Sequence, residues 1–238
     1  MPAKKDIPNT LITAAMKLAA DKSWHDVTLI DIALTAGLTV AECYDHCRGK
    51  GDILRKFIHK IDRDVLADLD TEDFNEPGHD RLIAIVMARF DALAAYRPAL
   101  RSILSARGDL GPADSLRAIK THFGSMRWML DAAGFRTGGL HGSLRIAAMT
   151  GIYARCFKLW LDDTSTDFGP TMALLDRELS KAATWDARVE KGLGKAHTLC
   201  GKISKKYHRF AAKKHGSSQQ ETTAQTPAQT SDSSATAP

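Results

Sequence analysis

The sequence is poor in cysteine, in long apolar runs and in the short motifs of common enzymes, and each shortage removes a class of protein. Four cysteines in 238 residues, Cys43, Cys47, Cys156 and Cys200, show neither the paired spacing of a metal ribbon nor the density of a disulfide scaffold. No metal site is expected, and a reducing compartment suits them. No stretch approaches the roughly 20 apolar residues that a membrane span needs. The opening MPAKKDIPNTLITAAMKLAA has two lysines but no uninterrupted apolar run ahead of a cleavage site, which reads as a cytoplasmic protein. There is no HExxH, no G-x-S-x-G, no phosphate-cradling glycine loop and no carboxylate pair set in an apolar stretch, and the nine histidines are scattered. The expectation is therefore a binding protein that uses no cofactor, and not an enzyme.

What is present is an ordinary globular composition, 44% hydrophobic and 26% charged. The formal charge of +5 is unevenly placed. Residues 1–65 hold ten lysines and arginines against nine acids, whereas residues 191–215 hold eight and no acid. That basic segment points to an anionic partner, nucleic acid or a membrane surface.

Apolar residues recur at helical steps, with no sustained alternation that would argue for strands, so the fold class is all-α. Leu11, Ile12, Ala15, Leu18 and Ala19 form one face, Leu29, Ile32, Ala33 and Ala36 a second, and Leu54, Phe57, Ile58, Ile61, Val65 and Leu69 a third. These three amphipathic faces can share one small core. Residues 71–79, TEDFNEPGH, are acidic, hold Pro77-Gly78 and read as a connector. Beyond it the pattern predicts helices near 80–96, 99–107, 114–133, 140–161 and 168–190, a second domain over 80–190. A basic amphipathic helix is expected over 191–215, and the polar tail 216–238 is expected to be disordered.

The most specific signal lies between Thr28 and Cys47. Thr28-Leu29-Ile30-Asp31 has the form of a capping box, Gly37 can take the left-handed conformation at a helix end, and Thr39-Val40-Ala41-Glu42 offers a second capping box. Two short helices joined by a tight glycine turn make a helix-turn-helix whose second helix can enter a major groove. Thr28 acts as a cap whatever else it does, and Glu42 reads as the cap partner of Thr39 before it reads as a contact to cytosine. Cys43 and Cys47, one turn apart, read as small hydrophobes rather than a thiol sensor.

The run VTLIDIALTAGLTVAECYDHCRGK, preceded by Trp24 and carrying Thr28, Ile32, Ala33, Ala36, Gly37, Tyr44, His46 and Lys50, resembles the TetR family of transcriptional regulators. The resemblance covers about a quarter of the chain. It implies a TetR-like fold, with an N-terminal three-helix DNA-binding domain over residues 5–65 and a C-terminal helical bundle for ligand binding and dimerisation. It also implies a double-stranded DNA operator as partner, with Thr28 and Tyr44 on phosphates and Lys50 near the backbone. Thr39, Val40, Ala41 and Asp45 would face the bases, with His46 beside them. Two features of this chain depart from the family: Val40 stands where a basic residue is common, and Glu42 and Asp45 place acid on the recognition helix.

In the C-terminal half, Trp128, Met129, Phe157 and Trp160 either line a cavity for a small apolar effector or form plain core. Asp162, Asp163 and Asp167, in a Thr- and Ser-rich turn, read as caps and turn formers rather than a cation site. Tyr153, the turn WLDDTSTDF, Thr171 and the run LDRELSKA resemble the lipid-binding accessory proteins of coenzyme Q biosynthesis, themselves TetR-like in fold. That resemblance covers about 60 residues and implies a C-terminal amphipathic helix that meets membranes. In this chain Ala196, Leu199, Ile203, Tyr207 and Phe210 recur at steps of three and four among lysines. The segment Lys195 to Lys214 can therefore lie on a membrane, grip DNA, or dock on the protein itself. The expected function is a homodimeric DNA-binding regulator, a repressor switched by an apolar effector. The alternative is a lipid-binding accessory protein that touches membranes peripherally.

Overall fold

A computed structural model describes residues 6–69, 75–106 and 111–186. The expected basic helix over 191–215, the polar tail and residues 71–74 of the acidic connector lie outside the described residues. Every regular element among the described residues is helical. The helices are α1 (Ile7–Asp21), α2 (Leu29–Thr35), α3 (Val40–His46), α4 (Lys50–Ala67), α5 (Gly78–Ala94), α6 (Arg97–Ser105), α7 (Pro112–Ala132) and α8 (Gly139–Asp162), with a 3-10 turn at Trp24–Asp26. A ninth helix, α9, occupies 169–186. None of the described helices is long and apolar enough to cross a membrane.

Local chemistry sets the boundaries. Asp6 caps α1 by accepting the Asn9 amide at 3.2 Å, and Pro8 sits in the first turn, where its missing N–H costs nothing. Proline also opens α6 and α7. The second half begins two residues before the periodicity suggests, at Gly78, directly after Pro77, which occupies the N-cap position without a side-chain capping bond.

One hydrophobic cluster runs from Leu11 in α1 to Leu179 in α9. α1 packs on α6, α2 and α4, while α4 packs on α5 and α7, so the N-terminal helices share their core with the C-terminal ones. Trp24 is fixed from both sides: its amide donates to Ser102 Oγ of α6 at 2.8 Å, and that hydroxyl donates to the Lys22 carbonyl at 3.1 Å.

The polar centre of this core joins four helices. Arg89 of α5, 2% exposed, donates from Nε to Asp62 Oδ1 of α4 at 2.9 Å and from Nη1 to the Tyr153 hydroxyl of α8. Ser125 of α7 donates to the other oxygen of Asp62 at 2.6 Å. Burial works against the Arg89 charge, but Tyr153 and Asp62 outweigh it and leave its pKa above the ordinary value. The guanidinium also lies 5.0 Å from the centre of the Tyr153 ring, which stacks on Phe90.

The turn WLDDTSTDF folds around a second arginine. Arg97 lies between the rings of Trp160 and Phe168, 4.5 and 4.6 Å from their centres, and donates to the Asp163 carbonyl at 2.5 Å. Phe168 takes a left-handed φ of 51° to reach that position. Asp163 accepts the amides and hydroxyls of Ser165 and Thr171. Burial alone would raise its carboxyl, but those four hydrogen bonds hold it at about 2. Asp167 accepts the Gly169 amide, and Asp162 pairs with Arg101. These aspartates cap and tie the α8–α9 turn.

Removing one partner of the buried pair leaves an uncompensated charge, which costs about 3–5 kcal/mol. Asp62→Ala is expected to lose about that much in urea unfolding. A loss below about 1 kcal/mol would show that the network does not hold the helices together.

Candidate nucleic-acid interface

The two capping boxes are complete. Thr28 Oγ1 accepts the Asp31 amide at 3.1 Å and Asp31 accepts the Thr28 amide at 2.9 Å. Those bonds, with Lys22 at 2.9 Å, bring the Asp31 carboxyl down to about 2. Thr39 Oγ1 accepts the Glu42 amide at 3.2 Å, and Glu42 Oε2 takes both the amide and the hydroxyl of Thr39, each at 2.8 Å. Between the boxes Gly37 has φ +63°, and the Leu38 amide bonds back to the Ala33 carbonyl at 3.0 Å, closing α2. Leu38 is thereby tucked into the core and α3 starts two residues later.

α3 meets the core through Cys43, at 0% exposure, and is closed by Cys47, at 2%. Their sulfurs lie 3.6 Å apart, and the Cys47 thiol donates to the Cys43 carbonyl at 3.2 Å. Burial, reinforced by the Cys43 thiol, pushes the Cys47 pKa up to about 12, and both side chains, closed off from solvent, pack as small hydrophobes. Outward on the same short helix stand Val40, Ala41, Tyr44, Asp45 and His46, with Val40 46% and Tyr44 60% exposed. Thr28 and Thr39 are exposed as well, but each hydroxyl already serves its cap.

Lys50 is engaged inside the fold. Its ammonium donates to the Trp24 carbonyl at 2.8 Å and lies 5.1 Å from the centre of the Trp24 ring, so α4 starts by clamping the 3-10 turn. On α2, Ile30 and Leu34 are 55% and 69% exposed, and the sequence reading did not single them out as surface residues.

The four residues offered either to a cavity or to plain core divide between the two. A cavity of about 280 Å³ lies between α4, α6, α7 and α8, with Trp24, Leu54, Phe57, Leu100, His122 and Phe157 among its walls. Phe157 alone of the four expected residues lines it. Met129 and Trp160 are fully buried core, Trp160 being occupied by Arg97, and Trp128 packs half-buried against that core. The residues that were missed sit on α4 and α6, where apolar periodicity is the same for a cavity wall and for solid core. A second cavity, about 260 Å³, opens between α5, α8 and α9. No cluster of three or more metal-ligating side chains occurs among the described residues.

Among solved structures the chain is similar to a TetR transcriptional regulator from Nitrosomonas europaea ATCC 19718, with 24% identity and a TM-score of 0.62 over 75% of this chain and 99% of that one. It is also similar to a TetR transcriptional regulator from Rhodococcus sp. RHA1, at 18% identity and TM-score 0.53, over 72% and 94% of the two chains. A TetR-family regulator from Streptomyces coelicolor matches at 16% and 0.53, over 81% and 86%. No family model and no curated protein matches the chain. At these identities the likeness is one of fold: the described helices have the TetR arrangement.

If Cys43 and Cys47 pack as described, iodoacetamide near neutral pH will leave both unmodified in the native protein and label both after unfolding, as read by peptide mass spectrometry. Rapid double labelling of the native chain would contradict that packing.

Proposed function

We propose that this protein is a DNA-binding transcriptional regulator of the TetR family, a repressor whose hold on its operator is released by a small apolar effector. The observation that carries the reading is the pair of closed capping boxes around Gly37, which leaves Val40, Ala41, Tyr44, Asp45 and His46 outward on α3. The TetR arrangement of the remaining helices supports it. In this reading α3 enters a major groove, the Tyr44 hydroxyl reaches a phosphate and Val40 meets a base edge, while Glu42 is withheld as a cap.

The effector belongs in the cavity bounded by Trp24, Leu54 and Phe57, because a ligand there bears directly on α4, the helix that follows α3. A differential fit of that ligand to two positions of α4 is what a switch requires. Leu140 and Leu159 of α8 and Met172 and Trp185 of α9 are exposed, which supports pairing of two copies through these helices. Two-fold pairing presents two α3 helices to successive major grooves.

A second reading, a lipid-binding accessory protein, draws on the two apolar cavities and on the exposed Ile30 and Leu34, which give DNA nothing to bond. Selection of bound fragments from sheared chromosomal DNA at low salt separates the two. The regulator reading predicts enrichment of a few two-fold symmetric sites. On such a site Tyr44→Phe weakens binding by about 1 kcal/mol whatever the bases, the scale of one hydrogen bond, while Val40→Ala changes base preference. No enrichment, together with extraction of isoprenoid lipid by the purified protein, would overturn it.

A further inference from the structure

The cavity of about 280 Å³ between α4, α6, α7 and α8 is not chemically uniform. Most of its wall is hydrocarbon, with Leu54, Phe57, Ile58, Leu100, Ile103 and Phe157 among the contributors. Its ionisable lining residues are Arg55 of α4 and Arg117 and His122 of α7, and among the described residues no carboxylate lines it. The hydroxyl of Thr121, also in the wall, donates to the Arg117 carbonyl at 3.0 Å. The second cavity differs: Asp186 lines it and takes Arg145 on both oxygens.

The two arginines border the void at one level. A hydrogen bond from Ser125 to Asp62 joins α7 to α4, and two turns back along each helix stand Arg117 and Arg55. Arg117 is exposed and Arg55 half-buried, which puts the charges at the rim and the hydrocarbon inside. Arg55 holds Asp52 of its own helix at 2.9 Å, but a guanidinium carries five N–H donors, so that pair leaves donors for a second acceptor.

Resting on the regulator reading above, we infer that the ligand of this cavity is an amphipathic anion, a hydrocarbon body with one carboxylate whose head is held by Arg55 and Arg117. At about 30 Å³ for each water-sized group the void admits about nine or ten heavy atoms, the size of a straight eight-carbon acid. The body gains by leaving water, and the head gains by the planar two-point pairing that a guanidinium offers a carboxylate. Burying the carboxylate without partners is costly, so the ligand enters body first and keeps its head at the rim. A cation of the same size meets two like charges and no carboxylate, and is rejected. A head shared by both arginines also ties α7 to α4, the helix that follows α3.

The test titrates the full chain by calorimetry with three probes of nearly equal size, octanoate, octanamide and octylammonium, each below its micelle concentration. Octanoate is expected to bind at one per chain, octanamide about tenfold more weakly, as befits a lost charge-assisted hydrogen bond, and octylammonium more weakly still. With Arg55→Gln and Arg117→Gln together, octanoate is expected to fall to the level of octanamide, whose own affinity stays unchanged. No binding of octanoate at millimolar concentration, equal binding of all three, a preference for octylammonium, or octanoate affinity unchanged in the double variant overturns the inference and leaves the regulator reading intact. Should the double variant bind neither octanoate nor octanamide, the ranking of the three probes on the wild-type chain decides. The expected ranking in a chain that holds no duplex DNA at low salt overturns the regulator reading and leaves the ligand class standing.

Discussion

The ion pair between Asp62 and Arg89 is the constraint on which the rest of the architecture turns. Burying a guanidinium and a carboxylate in a helical core costs more than packing hydrocarbon there, unless every donor and acceptor is met. Here Ser125 and Tyr153 meet those needs from two further helices, so the charge is tolerated in one arrangement of α4, α5, α7 and α8. Hydrophobic faces alone would permit α4 to slide or rotate against the body. The pair fixes its register, and α4 is the helix whose first residue, Lys50, clamps Trp24 beside the helix-turn-helix.

That geometry gives the cavity its meaning. His122 and Phe157, in its wall, both lie against the Tyr153 ring, 5.5 and 5.9 Å between centres. Tyr153 in turn bonds Arg89, and Arg89 bonds Asp62 of α4. The side chains that face the void therefore touch the set that holds α4, the helix that follows α3. The turn between α8 and α9 is a separate device. Its aspartates, Trp160 and Phe168 close around Arg97 and lock the start of α6, which accounts for that motif by packing alone.

How much of this was legible in the sequence depended on the range of each interaction. The capping boxes at Thr28 and Thr39 join residues three apart, and Gly37 acts on its own backbone, so the helix-turn-helix could be written down from local spacing. Helix boundaries followed proline and glycine for the same reason. Arg89 was not legible as a buried charge, because in the run AIVMARFDALA it looks like an ordinary polar position, and its partners lie 27 and 64 residues away. Whether Trp128, Met129, Phe157 and Trp160 faced a cavity or formed plain core stayed open in the sequence, because periodicity reports which face is apolar and is silent on where two such faces fail to meet. Lys50 was read as a cation near a helix start, and only the fold shows its ammonium turned inward onto Trp24.

The proposal that α3 reads DNA is tested most directly by a tethered cleavage reagent at Ala41. The native thiols at positions 43, 47 and 156 are buried, so Ala41→Cys with Cys200→Ser gives a single reactive site on the outward face of α3. An iron chelate on that thiol is predicted to cut the selected operator at two clusters about one helical turn apart, within the protected half-sites. Cuts spread evenly along the duplex, or none above the level given by the free chelate, would contradict it.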